Sequence, residues 1–311
     1  MGLSAAAPWL KYYGNTPASL EYPHKTMYEM VEAAAKRHPN HVAYVFMGKK
    51  TSYTEFMKRI QAAAQGLYKM GIRKGDKVTI CMANTPQALD CFYALNRIGA
   101  IPNMIHPLSA SQEIAFYLNF SKSKAVLTLD QFYYKVAEIL PQLENPTEIL
   151  IAKVADELPA PLSALYPLTK SARAVKKLPK AGYTLWYDMV KAGKNTRLPD
   201  QKSRYDACGA ILYSGGTTGT TKGIMLSNLN FNALALQTIA ASGFSMEEIS
   251  NMKMLSVMPV FHGFGLGIGI HTPLVAGGTC ILIPQFNVKV YAKTLMKQKP
   301  NLIPGVPTLF E

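Results

Sequence analysis

Apolar residues recur along this chain with two alternating periods. Short, almost uninterrupted apolar runs, HVAYVFM (41–47), VTICMA (78–83), AIPNM (100–104), AVLTL (125–129) and EILIA (148–152), predict strands covered on both faces. Between them the spacing lengthens to that of a helix. Thr26 and Glu29 form a capping box for a helix that stops before Pro39. Gly48, Lys49 and Lys50 read as a turn, after which Thr54 caps a helix that places Phe56, Ile60, Ala63, Leu67 and Met70 on one face and ends at Gly71. Thr85 and Pro86 open a helix that runs to Gly99, and Ser109 with Gln112 opens another. Strands alternating with helices in this way predict βαβ units around a mainly parallel sheet, an α/β protein.

The rhythm breaks over residues 153–205, where Pro159, Pro161, Pro167, Pro179 and Pro199 stand among basic residues. A surface excursion is expected there, pinned by the aromatic island Tyr183, Leu185, Trp186 and Tyr187. The pattern resumes with CGAILY, whose apolar run leads into a polar loop, and Ser227 caps the next helix. Met254 to Val288 contains no Asp, Glu, Lys or Arg, and a membrane span needs only ~20 apolar residues. Pro259, His262, His271, Pro273 and the glycines between them argue instead for buried strand, helix and strand, with no transmembrane span.

The polar loop carries the candidate chemistry. In ILYSGGTTGTTKGIMLS (211–227), Gly215, Gly216 and Gly219 let backbone N–H groups approach a ligand. Ser214, Thr217, Thr218, Thr220 and Thr221 add hydroxyls, and Lys222 adds a positive charge, so the loop reads as a phosphate cradle; a plain glycine-rich hairpin loop is the alternative. Its spacing is neither GxxxxGK[ST] nor GxGxxG. It resembles the phosphate-loop signature [YF][TS][SG]G[TS]TGxPKG of the acyl-adenylate-forming superfamily, which includes acyl-CoA synthetases and peptide-synthetase adenylation domains. The chain matches every position of that signature except Thr221, where proline is usual.

A second stretch, Met258-Pro259-Val260-Phe261-His262-Gly263-Phe264-Gly265, is similar to the superfamily's P-x-FH-xx-G motif. The resemblance implies that His262 stands beside the reacting carboxylate, with Gly263, Phe264 and Gly265 lining the acyl pocket; a purely structural histidine is the alternative. The segments MGIRKGDKV and PQALDCFYALNRIGAIPN also resemble the family's opening motifs, and the likeness runs over roughly residues 26–311. The closing GVPTLFE stands where relatives continue to an adenine and metal motif, a ribose aspartate and a C-terminal cap domain with the adenylation lysine. The chain is therefore expected to be part of a longer enzyme and inactive alone.

By the same resemblance, two α/β/α layered subdomains with mainly parallel sheets are expected. Residues 75–235 would form one, carrying the phosphate loop, residues 25–72 with 252–311 would form the other, and 1–24 would be an N-terminal extension. The implied reaction is ATP-dependent activation of a carboxylic acid, a fatty acid by overall likeness, followed by transfer to coenzyme A. ATP, Mg2+ and coenzyme A are the implied cofactors, with Thr218 the candidate Mg2+ ligand. Lys222, Thr217 and His262 are the implied catalytic residues. A carrier-protein acceptor, or a non-catalytic phosphate- or membrane-binding role, remain as alternatives.

Composition narrows little further. With 49% hydrophobic and 17% charged residues the chain can bury a core. Cys81, Cys91, Cys208 and Cys280 form no CxxC pair, which fits reduced thiols in a cytoplasmic protein. The net charge is +14, and the excess is uneven: residues 153–200 carry nine Lys or Arg against four Asp or Glu, with Arg173, Lys176, Lys177 and Lys180 at the centre. That cluster leaves a peripheral membrane contact open, but no nucleic-acid signature accompanies it.

Overall fold

The computed structural model describes residues 7–168, 175, 177–200, 204–214 and 221–310. Eleven strands and four long helices in the first half are needed to follow the site: α1 Met27–Arg37, β1 Val42–Phe46, β2 Lys49–Ser52, α2 Tyr53–Lys69, β3 Lys77–Cys81, α3 Pro86–Ile98, β4 Ile101–Met104, α4 Ser111–Ser121, β5 Ala125–Leu129, β6 Glu148–Ala152, β7 Thr184–Leu185, β8 Cys208–Ser214, β9 Lys222–Ser227, β10 Lys253–Ser256 and β11 Thr279–Leu282. Seven strands form one sheet in the order β7-β6-β5-β3-β4-β8-β9. Its pairs are parallel except for the terminal hairpin of β8 with β9. Four form a second sheet in the order β10-β11-β1-β2, parallel except for the hairpin of β1 with β2.

The two sheets are joined through helices. α3 lies on β3 and β4, α2 lies on β1 and β2, and α2 and α3 pack against each other. One continuous core results, with Val78 and Ile80 of the larger sheet and Tyr44, Phe46 and Leu282 of the smaller in a single apolar cluster. Every residue of β5 is buried, in keeping with an apolar run inside a parallel sheet.

The helix starts show where local signals sufficed. The capping box at Thr26 forms as the sequence predicts, and α3 opens at Pro86 and closes at Gly99, whose φ of +73° is the left-handed cap glycine favours. α2 differs. Its cap is Ser52, whose side chain accepts from the Glu55 N–H at 3.2 Å, while Thr54 donates to the Pro39 carbonyl. Lys49 and Lys50 belong to β2 rather than to a turn. α4 likewise begins two residues beyond Ser109, where Glu113 accepts from the Ala110 N–H at 3.1 Å.

The uncharged stretch folds as strand β10, a π-helix Phe264–His271, a short α-helix Thr272–Ala276 and strand β11. Among the described residues no helix is long and apolar enough to cross a membrane. Beyond β11 comes the helix Val288–Gln298, and the segment after it adds a single bridge between Leu302 and Met254. Pro304 and Pro307 lack the N–H groups a longer ladder needs.

Candidate functional site

The polar loop is held at both ends by the β8–β9 hairpin. Ser214 faces Lys222 across the two strands, Tyr213 faces Gly223 and Leu212 faces Ile224. Thr221 is half-buried and Lys222 is exposed. Gly215, Gly216, Thr217, Thr218, Gly219 and Thr220 lie outside the described residues, and with them the Mg2+ ligand expected at Thr218. Among the described residues no three His, Cys, Asp or Glu side chains are grouped to hold a metal ion. In the basic excursion, Arg173 and Lys176 also lie outside the described residues.

The strand entering the loop rests on a buried polar network. The Tyr213 hydroxyl donates to Asn103 Oδ1 at 2.8 Å, and Asn103 Nδ2 donates to Thr79 Oγ1 at 2.8 Å and Ser121 Oγ at 3.2 Å. Ser123 closes the set, 2.7 Å from Thr79 Oγ1 and 2.8 Å from Ser121 Oγ. Burial pushes the Tyr213 phenol up to about 12, so it stays a donor at neutral pH.

The second motif approaches the same hairpin. Cross-strand pairs share a sheet face, so Leu212, Ser214, Lys222 and Ile224 lie on one side. A Cβ on Gly263 would sit 3.4 Å from Leu212 Cδ1 on that side, which brings the 258–265 stretch against the base of the polar loop. His262 is exposed. Its backbone N–H donates to the Pro259 carbonyl at 3.1 Å and its carbonyl accepts from Leu266 at 2.9 Å. Nδ1 accepts from the Phe264 N–H at 3.4 Å, which places the proton of the neutral ring on Nε2.

Neighbouring groups fix this turn. A Cβ on Gly265 would lie 2.1 Å from the Pro259 carbonyl oxygen and 2.6 Å from that of Met258. The backbone passes itself too closely for any side chain. Phe264 is half-buried. The Phe261 ring packs on His106 with centroids 4.3 Å apart, and burial, reinforced by the charge of Lys135, holds the His106 imidazole below its ordinary value.

One residue that sequence reasoning passed over stands behind the motif. Asn84, in the loop after β3, is only 2% exposed. Its Nδ2 donates to the carbonyls of Ser256 and Met258, each at 2.9 Å, and its Oδ1 accepts from the Val260 N–H at 2.9 Å. In the sequence it is only the residue before Thr85-Pro86, and no local signal separates it from a polar helix-start residue.

The strand pair β8–β9, which flanks the polar loop, and the turn 258–265 thus lie near each other. The model of one family, described as AMP-binding enzyme, matches residues 31–311. The chain belongs to the AMP-binding enzyme family. It is 31% identical over 311 residues to a long-chain-fatty-acid–CoA ligase of Bacillus subtilis, covering 99% of this chain and 55% of that protein. A solved long-chain-fatty-acid-CoA ligase from Archaeoglobus fulgidus superposes with a TM-score of 0.74 at 22% identity, over 92% of this chain and 52% of its own. The ATP-bound MatB of Rhodopseudomonas palustris superposes with a TM-score of 0.69 at 20% identity, over 91% of this chain and 49% of its own. At such identities the structural likeness speaks to the fold. The chain spans about half the length of these relatives.

Proposed function

We propose that this protein is an AMP-forming acid–thiol ligase that activates a carboxylic acid with ATP and passes the acyl group to coenzyme A. A carboxylate oxygen forms a bond to the α-phosphorus of ATP as the bond to pyrophosphate breaks. The thiol sulfur then bonds to the acyl carbon and AMP leaves. The acid is a fatty acid, in line with the name of the Bacillus relative.

The roles follow from charge and position. Backbone N–H groups of residues 215–220, the hydroxyls of Ser214, Thr217, Thr218, Thr220 and Thr221, and the Lys222 ammonium meet the β- and γ-phosphates of magnesium-bound ATP, with Thr218 at the ion, and balance the charge of departing pyrophosphate. His262, with its proton on Nε2, donates to the carboxylate or the adenylate carbonyl. Gly263, Phe264 and Gly265 form the adjoining wall of the acyl pocket. The observation that supports this reading is the nearness of Gly263 to Leu212, where a Cβ on the glycine would stand 3.4 Å from Cδ1, so that the turn bearing His262 lies near the strand pair bearing Lys222. A soluble, cytoplasmic setting belongs to the same proposal.

Carboxylate-dependent exchange of pyrophosphate into ATP tests it in the whole enzyme. Lys222→Ala should slow exchange on the order of tenfold or more, a loss of ~1.5–3 kcal/mol for a charge-assisted contact. Exchange rates indifferent to the substitution would remove Lys222 from the site, and no exchange with any aliphatic or aromatic acid would defeat the reading. Thioester formation with free coenzyme A separates this ligase from one that loads a carrier protein.

A further inference from the structure

The stretch that carries His262 has little regular structure of its own to hold it. β10 ends at Ser256, and the π-helix begins only at Phe264. Between them the backbone turns through Pro259, which has no N–H to give. Three polar backbone groups of this segment, the carbonyls of Ser256 and Met258 and the N–H of Val260, are met by a single side chain, that of Asn84.

The match is chemically specific. Two acceptors and one donor of the backbone face two donors and one acceptor, which among short side chains only a primary amide supplies. All three distances are 2.9 Å and the side chain is buried, so each bond is made away from competing water. Asn84 comes from the loop that follows β3 of the seven-stranded sheet, whereas the clamped segment continues from β10 of the four-stranded one. The last clamped group, Val260 N–H, is two residues from His262.

We propose that Asn84 is a positioning residue for His262: by fixing the backbone of 256–260 it sets where the imidazole stands relative to the β8–β9 strand pair. This rests on the ligase reading above, in which His262 addresses the carboxylate and Lys222 the phosphates. Asn84 itself touches neither substrate. Its loss should therefore fall on the carboxylate half of the reaction.

The test uses the whole enzyme and the exchange assay, with KM for the carboxylate and for ATP measured separately. Asn84→Asp keeps the shape but turns a carboxylate oxygen toward carbonyls that had accepted hydrogen bonds, and Asn84→Ala removes the clamp without adding charge. In either variant the carboxylate KM should rise on the order of ten- to a hundredfold, the cost of a misplaced reacting group, while the ATP KM stays within about twofold. Combined with His262→Ala, neither should slow exchange beyond the effect of His262→Ala alone, because a positioned group that is gone cannot be mispositioned. Equal rises in both KM values, full additivity with His262→Ala, or wild-type kinetics would overturn the proposal. So would failure of both variants to fold, which would make Asn84 a residue of stability only. A wild-type enzyme with no exchange defeats the ligase reading instead, so the two failures are distinguishable.

Discussion

At Gly265 the backbone oxygens of Pro259 and Met258 stand 2.1 Å and 2.6 Å from where a methyl group would go. They belong to a turn that Asn84 already holds, so the clash cannot be relieved by rotating a side chain. Gly265→Ala should destabilise the protein by ~1–3 kcal/mol, the usual cost of overpacking. A urea midpoint lower than wild type with an unchanged m-value is the outcome that checks this, and an unchanged midpoint would show that the turn has room to move. The sequence singles out Gly265 only as a motif position in a family resemblance. Its steric necessity depends on two residues that precede it in chain order and fold back over it. Asn84 makes the same point more strongly, since nothing within several residues of it hints at a partner near residue 258.

The described part of the proline-broken excursion over residues 153–205 is tied down by the short helix Trp186–Ala192. Trp186 is 1% exposed, and Tyr183 packs edge-on against Tyr133 with centroids 5.4 Å apart, so the aromatic island does pin the excursion. Less visible in the pattern is how closely this helix meets α2. A Cβ on Gly193 would lie 2.3 Å from both the Cα and the N of Gly66, and one on Gly66 would lie 2.3 Å from Met189 Sδ. Beside that crossing, the Arg59 guanidinium bonds Asp90 Oδ2 at 2.9 Å and Glu157 Oε2 at 3.1 Å, and Glu157 also accepts from Tyr187. Trp186→Ala should cost ~3–5 kcal/mol, the range for deleting a buried aromatic. Chemical denaturation measures it, and a loss under ~1 kcal/mol would mean that the island is dispensable.

Across the whole molecule the two sheets are coupled by a ladder of rings. Tyr44 of β1 meets Phe56 of α2, Phe56 meets Tyr93 of α3, and Tyr93 stacks on His271 of the π-helix, with successive centroids 5.2, 5.8 and 6.1 Å apart. His271 is fully buried, 3.0 Å from the Tyr93 hydroxyl through Nδ1 and 2.9 Å from Asn232 Oδ1 through Nε2. Asn232 accepts the Nε2 proton, so Nδ1 accepts from tyrosine and the ring is neutral. Burial lowers the His271 pKa from 6.5 to about 3. A histidine depressed in this way leaves stability untouched above its unfolded pKa and withdraws it as pH falls from 6.5 toward 3, because only the unfolded chain takes up the proton. The expected loss approaches ~1.4 kcal/mol for each pH unit in that window. Urea denaturation from pH 7.5 to 5 follows it, and His271→Gln should flatten the slope. A wild-type stability independent of pH over that range would show that His271 can be charged in place. That role was not read from the sequence, where His271 figures only as a polar break in an apolar stretch.

What the sequence determined by itself is whatever acts over a few residues. The apolar periods of β3 to β6, the capping box at Thr26 and the Pro86 start and Gly99 stop of α3 are local energetics, and they form where the pattern puts them. The candidate residues Lys222 and His262 were legible for another reason, that their motifs are contiguous. The tertiary structure alone decided which segments meet. The small sheet joins β1 and β2 to β10 and β11, and the Asn84 clamp spans 172 to 176 residues of chain. Pairings of that separation have no period or spacing to announce them. They are set by how the apolar faces of two sheets bury against shared helices, and a single amide finds its three partners only once that packing is complete.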